Sequence, residues 1–184
     1  LFRSLQQISD VLDISKIEAG QLRVVKAAFS PQKLVQQVTA GYAGMAASQG
    51  LLRFCTSDPG VPAQVLGDAM RIRQVLSNLV SNAIKFTTWG QVRVDLVLSS
   101  LPGGGENGRH DLQLELSVCD TGVGISPDDQ QRLFQPFVQV EPGSAQARSG
   151  TGLGLVISRS LCEMMGGKLS LFSKPGEGTE IRVI

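Results

Sequence analysis

SGTGLGLVIS, residues 149–158, sets Gly150, Gly152 and Gly154 just before an apolar stretch of helical character, LVISRSLCEMM, which Gly166 and Gly167 close. Glycine-rich loops that open helices often hold anions, because bare backbone N–H groups and the helix dipole point at the ligand. The spacing decides which architecture this loop serves. GxGxG is not the GxGxxG of dinucleotide-binding folds, and it follows an aperiodic polar stretch, 138–149, where such a fold needs a strand. The GxxxxGK[ST] spacing of a P-loop is absent as well. What remains is an anion-facing loop of another architecture, or a plain flexible connector.

Working outward, the most informative neighbour is AMRIRQVLSNLVSNAIKF, residues 69–86, with Asp68 placed to cap it. At roughly 100° per residue, Arg71, Asn78, Asn82 and Lys85 fall within about 60° of one another, and Ile72, Val75, Leu79, Ala83 and Phe86 fill the next arc. Such a helix sends an apolar stripe into a core and a polar stripe along the core's edge. Asn82 offers a neutral amide oxygen suited to Mg²⁺, which binds few protein groups and leaves positions for phosphates and water. Lys85, one turn on, can reach a phosphate as a point charge. The plain alternative is a solvated amphipathic helix.

DTGVGI, residues 120–125, directly follows the alternating stretch DLQLELSVCD, so Asp120 sits at a strand's C-terminal edge. A carboxylate there can accept from an exocyclic amine, while Gly122 and Gly124 let a flat ring approach the backbone. Adenine presents that amine; guanine presents a carbonyl, which a buried carboxylate would repel. A simple Asp-Thr-Gly turn is the alternative.

The rest of the chain frames these segments. Leu1, Leu5, Ile8 and Leu12 make a narrow helical seam that ends at Glu18-Ala19-Gly20 and reads as the tail of a helix hairpin. QLRVVKAAF (21–29) and LLRFCTS (51–57) read as strands, and Ser30-Pro31 opens a helix toward Gly50. QVRVDLVLS and DLQLELSVCD alternate as strands around the loop LPGGGENGRH, and Ser126 with Asp129 forms a capping box. KLSLFS, a KPGEG turn and TEIRVI close the chain. Strands with interleaved helices imply a two-layer α/β sandwich of α+β type, its mixed sheet covered by helices on one face and preceded by a helical tail.

Composition narrows the function classes. The chain has 184 residues, enough for a core without staples, and a net charge of +1 that offers nothing to nucleic acid or an acidic membrane. Cys55, Cys119 and Cys162 lack CxxC spacing and read as reduced core thiols. No apolar run approaches the ~18 residues of a membrane helix, and no signal peptide is evident. Trp89 reads as a packed or half-exposed turn aromatic, and Met164 and Met165 as core filler. Without an initial Met, the chain reads as a piece of something longer.

Taken in order, the motifs resemble those of the catalytic and ATP-binding domain of two-component sensor histidine kinases, in the superfamily shared with gyrase, the mismatch-repair ATPases and a heat-shock chaperone. RQVLSNLVSNAIKFT resembles the N box, DTGVGI the G1 box, LFQPF the F box, SGTGLGL the G2 box and PGEGT the last glycine motif. LDISKIEAG resembles the end of the second helix of the dimerisation and phosphoacceptor domain, which gives residues 1–20 to that domain and its linker and 21–184 to the catalytic domain.

The resemblance implies a Bergerat-type ATP-binding fold with ATP and Mg²⁺ as cofactors. It implies that Asn82 chelates Mg²⁺, with Asn78 accompanying it and Lys85 on phosphate, and that Asp120 binds adenine with Gly122, Gly124, Ile125 and the supporting hydroxyl of Thr179. Phe134 and Phe137 would anchor the lid, and Gly150, Thr151, Gly152, Leu153 and Gly154 would form its phosphate-facing end, with Arg148 a γ-phosphate contact. Related ATPases carry a general-base Glu where this chain has Asn78, so the resemblance implies transfer to a protein histidine and not to water.

Its implied partners are the upstream dimerisation domain, a response-regulator receiver and a second copy in a full-length homodimer. No nucleic acid is expected, nor membrane contact by this piece, whose place would be the cytoplasmic part of an inner-membrane-anchored sensor. The single histidine, His110, enters a strand from a glycine-rich loop and reads as a solvated residue, not the acceptor. A non-catalytic ATP-binding module and an ATPase or serine kinase of the same superfamily stay open.

Overall fold

A computed structural model describes residues 2–100, 112–138 and 151–184. Its elements run α1 (Phe2–Glu18), β1 (Ala27–Phe29), α2 (Pro31–Gly41), α3 (Ala43–Ser48), β2 (Leu52–Ser57), β3 (Val65–Gly67) and α4 (Ala69–Phe86). They continue with β4 (Gln91–Ser100), β5 (Leu112–Asp120), α5 (Pro127–Arg132), α6 (Gly154–Met164), β6 (Leu169–Lys174) and β7 (Gly178–Val183). Five strands form one mixed sheet in the order β2-β4-β5-β7-β6, with β2 parallel to β4 and the other pairs antiparallel. β1 and β3 pair separately.

Local chemistry starts the helices where expected. Ser30 accepts the Lys33 N–H and is followed by Pro31. Asp68 accepts both the Arg71 N–H (3.1 Å) and the Val25 N–H (2.9 Å), so one buried carboxylate caps α4 and pins the strand-like entry segment beside it. Ser126 accepts the Asp129 N–H and donates to its carboxylate at 2.7 Å.

The core lies between the helical layer and one face of the sheet. α4 buries Val75, Leu76, Leu79, Val80, Ala83 and Ile84 against Val92, Val94, Leu96, Leu116, Val118 and Ile181, while α2 and α6 close the flanks with Leu34, Val35, Val38, Ile157, Leu161 and Cys162. Each large aliphatic buried this way contributes roughly 1.5–3 kcal/mol, which sets the α4–sheet seam as the main source of stability. The opposite sheet face carries charged pairs, Arg93 with Asp95 and Arg182 with Glu180, both at 2.7 Å. The two-layer architecture with helices on one face is as the sequence implied.

Several details differ from the sequence reading. The helix opened at Pro31 breaks at Tyr42 into α2 and α3, and only Ala27–Phe29 of the 21–29 stretch is strand. Met164, the last residue of α6, lies past the buried stripe and is exposed, and Trp89 stands out from the α4–β4 turn at 83% exposure. Of the three free thiols only Cys162 is a core residue, its pKa pushed up to about 12 by burial; Cys55 is exposed on the edge strand β2 and Cys119 lies half-buried on the uncovered sheet face. On α1, Ile8, Val11 and Leu12 face outward while Asp10 and Asp13 are buried against the domain. His110 lies outside the described residues.

Candidate nucleotide site

The polar face of α4 is bracketed by two glycine turns that come from distant parts of the chain. Gly154, at the start of α6, packs so closely on Asn78 that a Cβ there would clash with its Oδ1 and lie 2.9 Å from its Cγ. Gly122, in the turn after β5, packs on the Phe86 carbonyl oxygen at the other end of the helix, where a Cβ would also stand 2.9 Å from Asp120 Oδ1. Asn82 and Lys85 sit on the stretch of α4 between these two approaches. Any larger residue at either position would push a turn off the helix and open the site.

Asn78 is engaged at both ends of its amide as a scaffold. Its Nδ2 donates to Ser158 Oγ at 2.9 Å, and its Oδ1 receives the Asn82 Nδ2 at 3.5 Å. That bond engages the Asn82 nitrogen, so the Asn82 oxygen is the end of the amide that can serve as a ligand. Lys85 Nζ lies 4.6 Å from the Phe86 ring centre, which holds the ammonium at the same end as Gly122. Arg71, expected on the same polar stripe, is drawn the other way: it donates to Gln74 Oε1 at 2.9 Å and lies 3.7 Å from Asp13 of α1.

At the β5 end, Asp120 is mostly enclosed. Burial pushes its pKa up to about 6, against the pull of the Gly122 and Thr179 backbone N–H groups, which favour the carboxylate. Gly122 N donates to Oδ1 at 2.8 Å, and Thr179 is the direct cross-strand neighbour of Asp120. A carboxyl that has lost its water and retains lone pairs is an acceptor waiting for a donor of complementary shape. Gly124, at φ +67°, packs on the Lys174 carbonyl, and the Ile125 N–H donates to Ser173 Oγ at 2.9 Å.

At the α6 end, Thr151 Oγ accepts the Leu153 N–H at 3.2 Å and reaches Asp10 Oδ2 of α1 at 3.1 Å. The Leu153 side chain is buried core, so only its backbone faces the loop. Gly152, at φ +69°, packs against the backbone of Phe137, itself at φ 65°. Phe137's ring is 69% exposed; Phe134 is the anchored aromatic, packed on the core with the Arg159 guanidinium 3.4 Å above its ring. Arg148 and Gly150 lie outside the described residues.

Sequence reasoning had no hold on two participants. Ser158 and Ser173 are ordinary serines in a helix and a strand, and only the fold reveals what they hold. A small polar residue on the inward side of α6, among Ile157, Leu161 and Cys162, was the one available signal for Ser158.

A two-layer sandwich whose central helix carries an amide-lined face, enclosed by a buried acid and glycine turns, defines a nucleotide-binding domain. The profile described as "Histidine kinase-, DNA gyrase B-, and HSP90-like ATPase" matches residues 67–184, and the chain belongs to that family. It is 41% identical over 179 residues to "Sensor histidine kinase RcsC" of Escherichia coli (strain K12), covering 97% of this chain and 18% of that protein. It is 45% identical over 181 residues to "Virulence sensor protein BvgS" of Bordetella bronchiseptica, covering 97% and 14%.

Among solved structures, full-length ShkA in complex with AMPPNP superimposes with a TM-score of 0.81 at 31% identity, covering 97% of this chain and 35% of that one. The catalytic domain of histidine kinase ThkA shares the fold, with a TM-score of 0.66 at 24% identity and coverage of 86% and 95%. The chain thus spans less than a fifth of these two curated relatives.

Proposed function

We propose that this domain binds Mg·ATP and transfers its γ-phosphoryl group to a histidine on an upstream dimerisation domain, for relay to a response-regulator aspartate. The observation that carries the reading is Asn78. Both ends of its amide are committed, to Ser158 and to Asn82, and an amide cannot take a proton at neutral pH. The residue best placed on α4 to activate water cannot do so, whereas a site that holds and orients ATP suits transfer to a protein nucleophile.

The roles proposed for the site residues are these. The Asp120 carboxylate accepts from the exocyclic amine of adenine. The Asn82 oxygen fits Mg²⁺: it is a hard, neutral donor, and Mg²⁺ commonly takes few protein ligands and leaves its remaining positions to phosphates and water. When bound, Mg²⁺ would supply positive charge that offsets the charge developing on the phosphates during transfer. Lys85 and the N-terminal turn of α6, at Gly152 and Gly154, face the phosphates. The reaction breaks the bond from the γ-phosphorus to its bridging oxygen, forms a bond to an imidazole nitrogen, and releases ADP and the imidazole proton.

The relatives bearing the names of sensor kinases support this placement, as does the resemblance of residues 1–20 to the end of a dimerisation helix. In the full protein we place the domain in a homodimer, on the cytoplasmic side of an inner-membrane sensor; no helix among the described residues is long and apolar enough to cross a membrane. The test is a chain extended upstream and given γ-labelled ATP. Label that is acid-labile and base-stable is expected. Acid-stable label on serine or threonine, or brisk release of inorganic phosphate without acceptor, would overturn the reading.

A further inference from the structure

We propose that Ser173 is a positioning residue that makes Thr179 an acceptor-only hydroxyl beside Asp120, so that the site discriminates a 6-amino purine from a 6-oxo purine twice over. The inference rests on the nucleotide reading above and deepens it.

Ser173, on β6, lies directly opposite Thr179 of β7. Its Oγ has three neighbours at 2.9 Å: the Ile125 N–H, the Gly178 carbonyl oxygen and Thr179 Oγ1. A hydroxyl owns one proton and two lone pairs. The Ile125 N–H can only donate, which takes one lone pair. The Gly178 carbonyl can only accept, which takes the proton. The remaining lone pair must then receive the Thr179 proton.

Valence counting therefore fixes the direction of the Ser173–Thr179 bond. Thr179 gives its only proton to Ser173 and presents lone pairs on its other side. Its own backbone N–H meanwhile supports Asp120, so the carboxylate and an acceptor hydroxyl belong to one residue pair across β5 and β7. Two acceptors suit an amine, which carries two protons. They oppose a carbonyl, which would find no donor on Thr179.

The hub is held from outside by Gln130 of α5. Its Nε2 donates to the Ile125 carbonyl at 2.8 Å and to the Ser173 carbonyl at 2.9 Å, tying the turn after β5 to β6. The Ser173 hydroxyl thus cannot turn without breaking its contacts to the turn after β5 and to β7, and Gln130 holds the backbone beneath it.

The test compares Mg·ATP with Mg·ITP, which differ at the purine 6-position, by calorimetric titration of the 184-residue chain and its Ser173→Ala variant. Removing the Ser173 hydroxyl returns the Thr179 proton to the site. ATP affinity is expected to fall about threefold while ITP affinity holds or rises, so that the ATP/ITP preference drops about tenfold. Ser173→Thr, which restores the hydroxyl, should recover the preference. Should Ser173→Ala fail to fold, the isosteric Thr179→Val removes the acceptor itself and must also lower the preference. An unchanged ratio, or equal weakening of both nucleotides, overturns the role of Ser173. Failure of the unaltered chain to bind Mg·ATP overturns the function and this inference with it; binding with an unaltered ratio overturns the inference alone.

Discussion

Helices α1 and α4 are of nearly equal length and place their side chains in opposite senses. α4 buries Leu76, Leu79 and Ile84 and turns its amides to the edge of the core; α1 buries Asp10 and Asp13 and turns Ile8, Val11 and Leu12 outward. The inward contacts of α1 are largely polar, Asp13 accepting from Gln74 Nε2 at 2.7 Å and Asp10 meeting Thr151, with the partly buried Ile14 and Ile17 adding apolar contact to the core. Polar contacts of this kind contribute about 1 kcal/mol each, against several for a packed aliphatic face. α4 is thus part of the domain's core, and α1 is docked onto it by a few polar bonds and two partly buried isoleucines.

The largest effect that would test this contrast is Leu76→Ala. It should cost about 3 kcal/mol of unfolding free energy in denaturant titrations, since the side chain is 1% exposed and the two layers limit collapse of the cavity. A loss under 1 kcal/mol would mean that the α4–sheet seam is not the main core.

Next comes Asn82→Ala, on the other face of the same helix. Phosphoryl transfer by an upstream-extended chain should fall at least a hundredfold, or roughly 2.7 kcal/mol of barrier, while stability changes little. Equal loss of stability would merge the two faces that the comparison separates.

Asp120 sharpens the site end of α4. Because its free-state pKa is about 6, Mg·ATP affinity should be level above that value and fall about tenfold per pH unit below it. Stability runs the other way: a carboxyl whose folded pKa is raised above the usual 3.8 contributes stability that is fully present below 3.8 and lost as pH rises through about 6. Asp120→Asn should therefore abolish nucleotide binding yet stabilise the free domain at pH 7 by about 1–2 kcal/mol, as read from thermal unfolding with and without ATP.

The smallest effect belongs to α1. Ile8→Ala or Leu12→Ala, at side chains 58% and 52% exposed, should change the stability of this chain by no more than about 0.5 kcal/mol. A larger loss would show that the outward stripe is buried in this chain's own assembly.

What the sequence disclosed follows the same division. Asn78, Asn82 and Lys85 share one face because helical period is a local rule, and Asp68, Ser30 and Ser126 cap helices through neighbours three residues away. Asp120 with its glycines was readable because a turn after a strand is local too. Bonds across long sequence separations were not readable: Asn78 to Ser158, Ile125 to Ser173, and Gly154 against Asn78. The polar contacts that α1 makes with the domain were hidden for a related reason. Its Leu-Ile-Leu seam was visible, but which body each face would meet depends on α4 and α6. Met164 reads as core filler and Trp89 as a packed or half-exposed turn aromatic on chemistry alone, whereas the helix end and the turn leave both exposed.

Asn78 has a consequence for the economy of the parent molecule. With that amide fixed between two neighbours, α4 offers a loaded nucleotide no base at this position, and the nucleotide would persist until a suitable imidazole is presented. On the proposed function, the protein idles in a charged condition, and the timing of each event is set by delivery of the acceptor and not by the chemistry of fuel consumption.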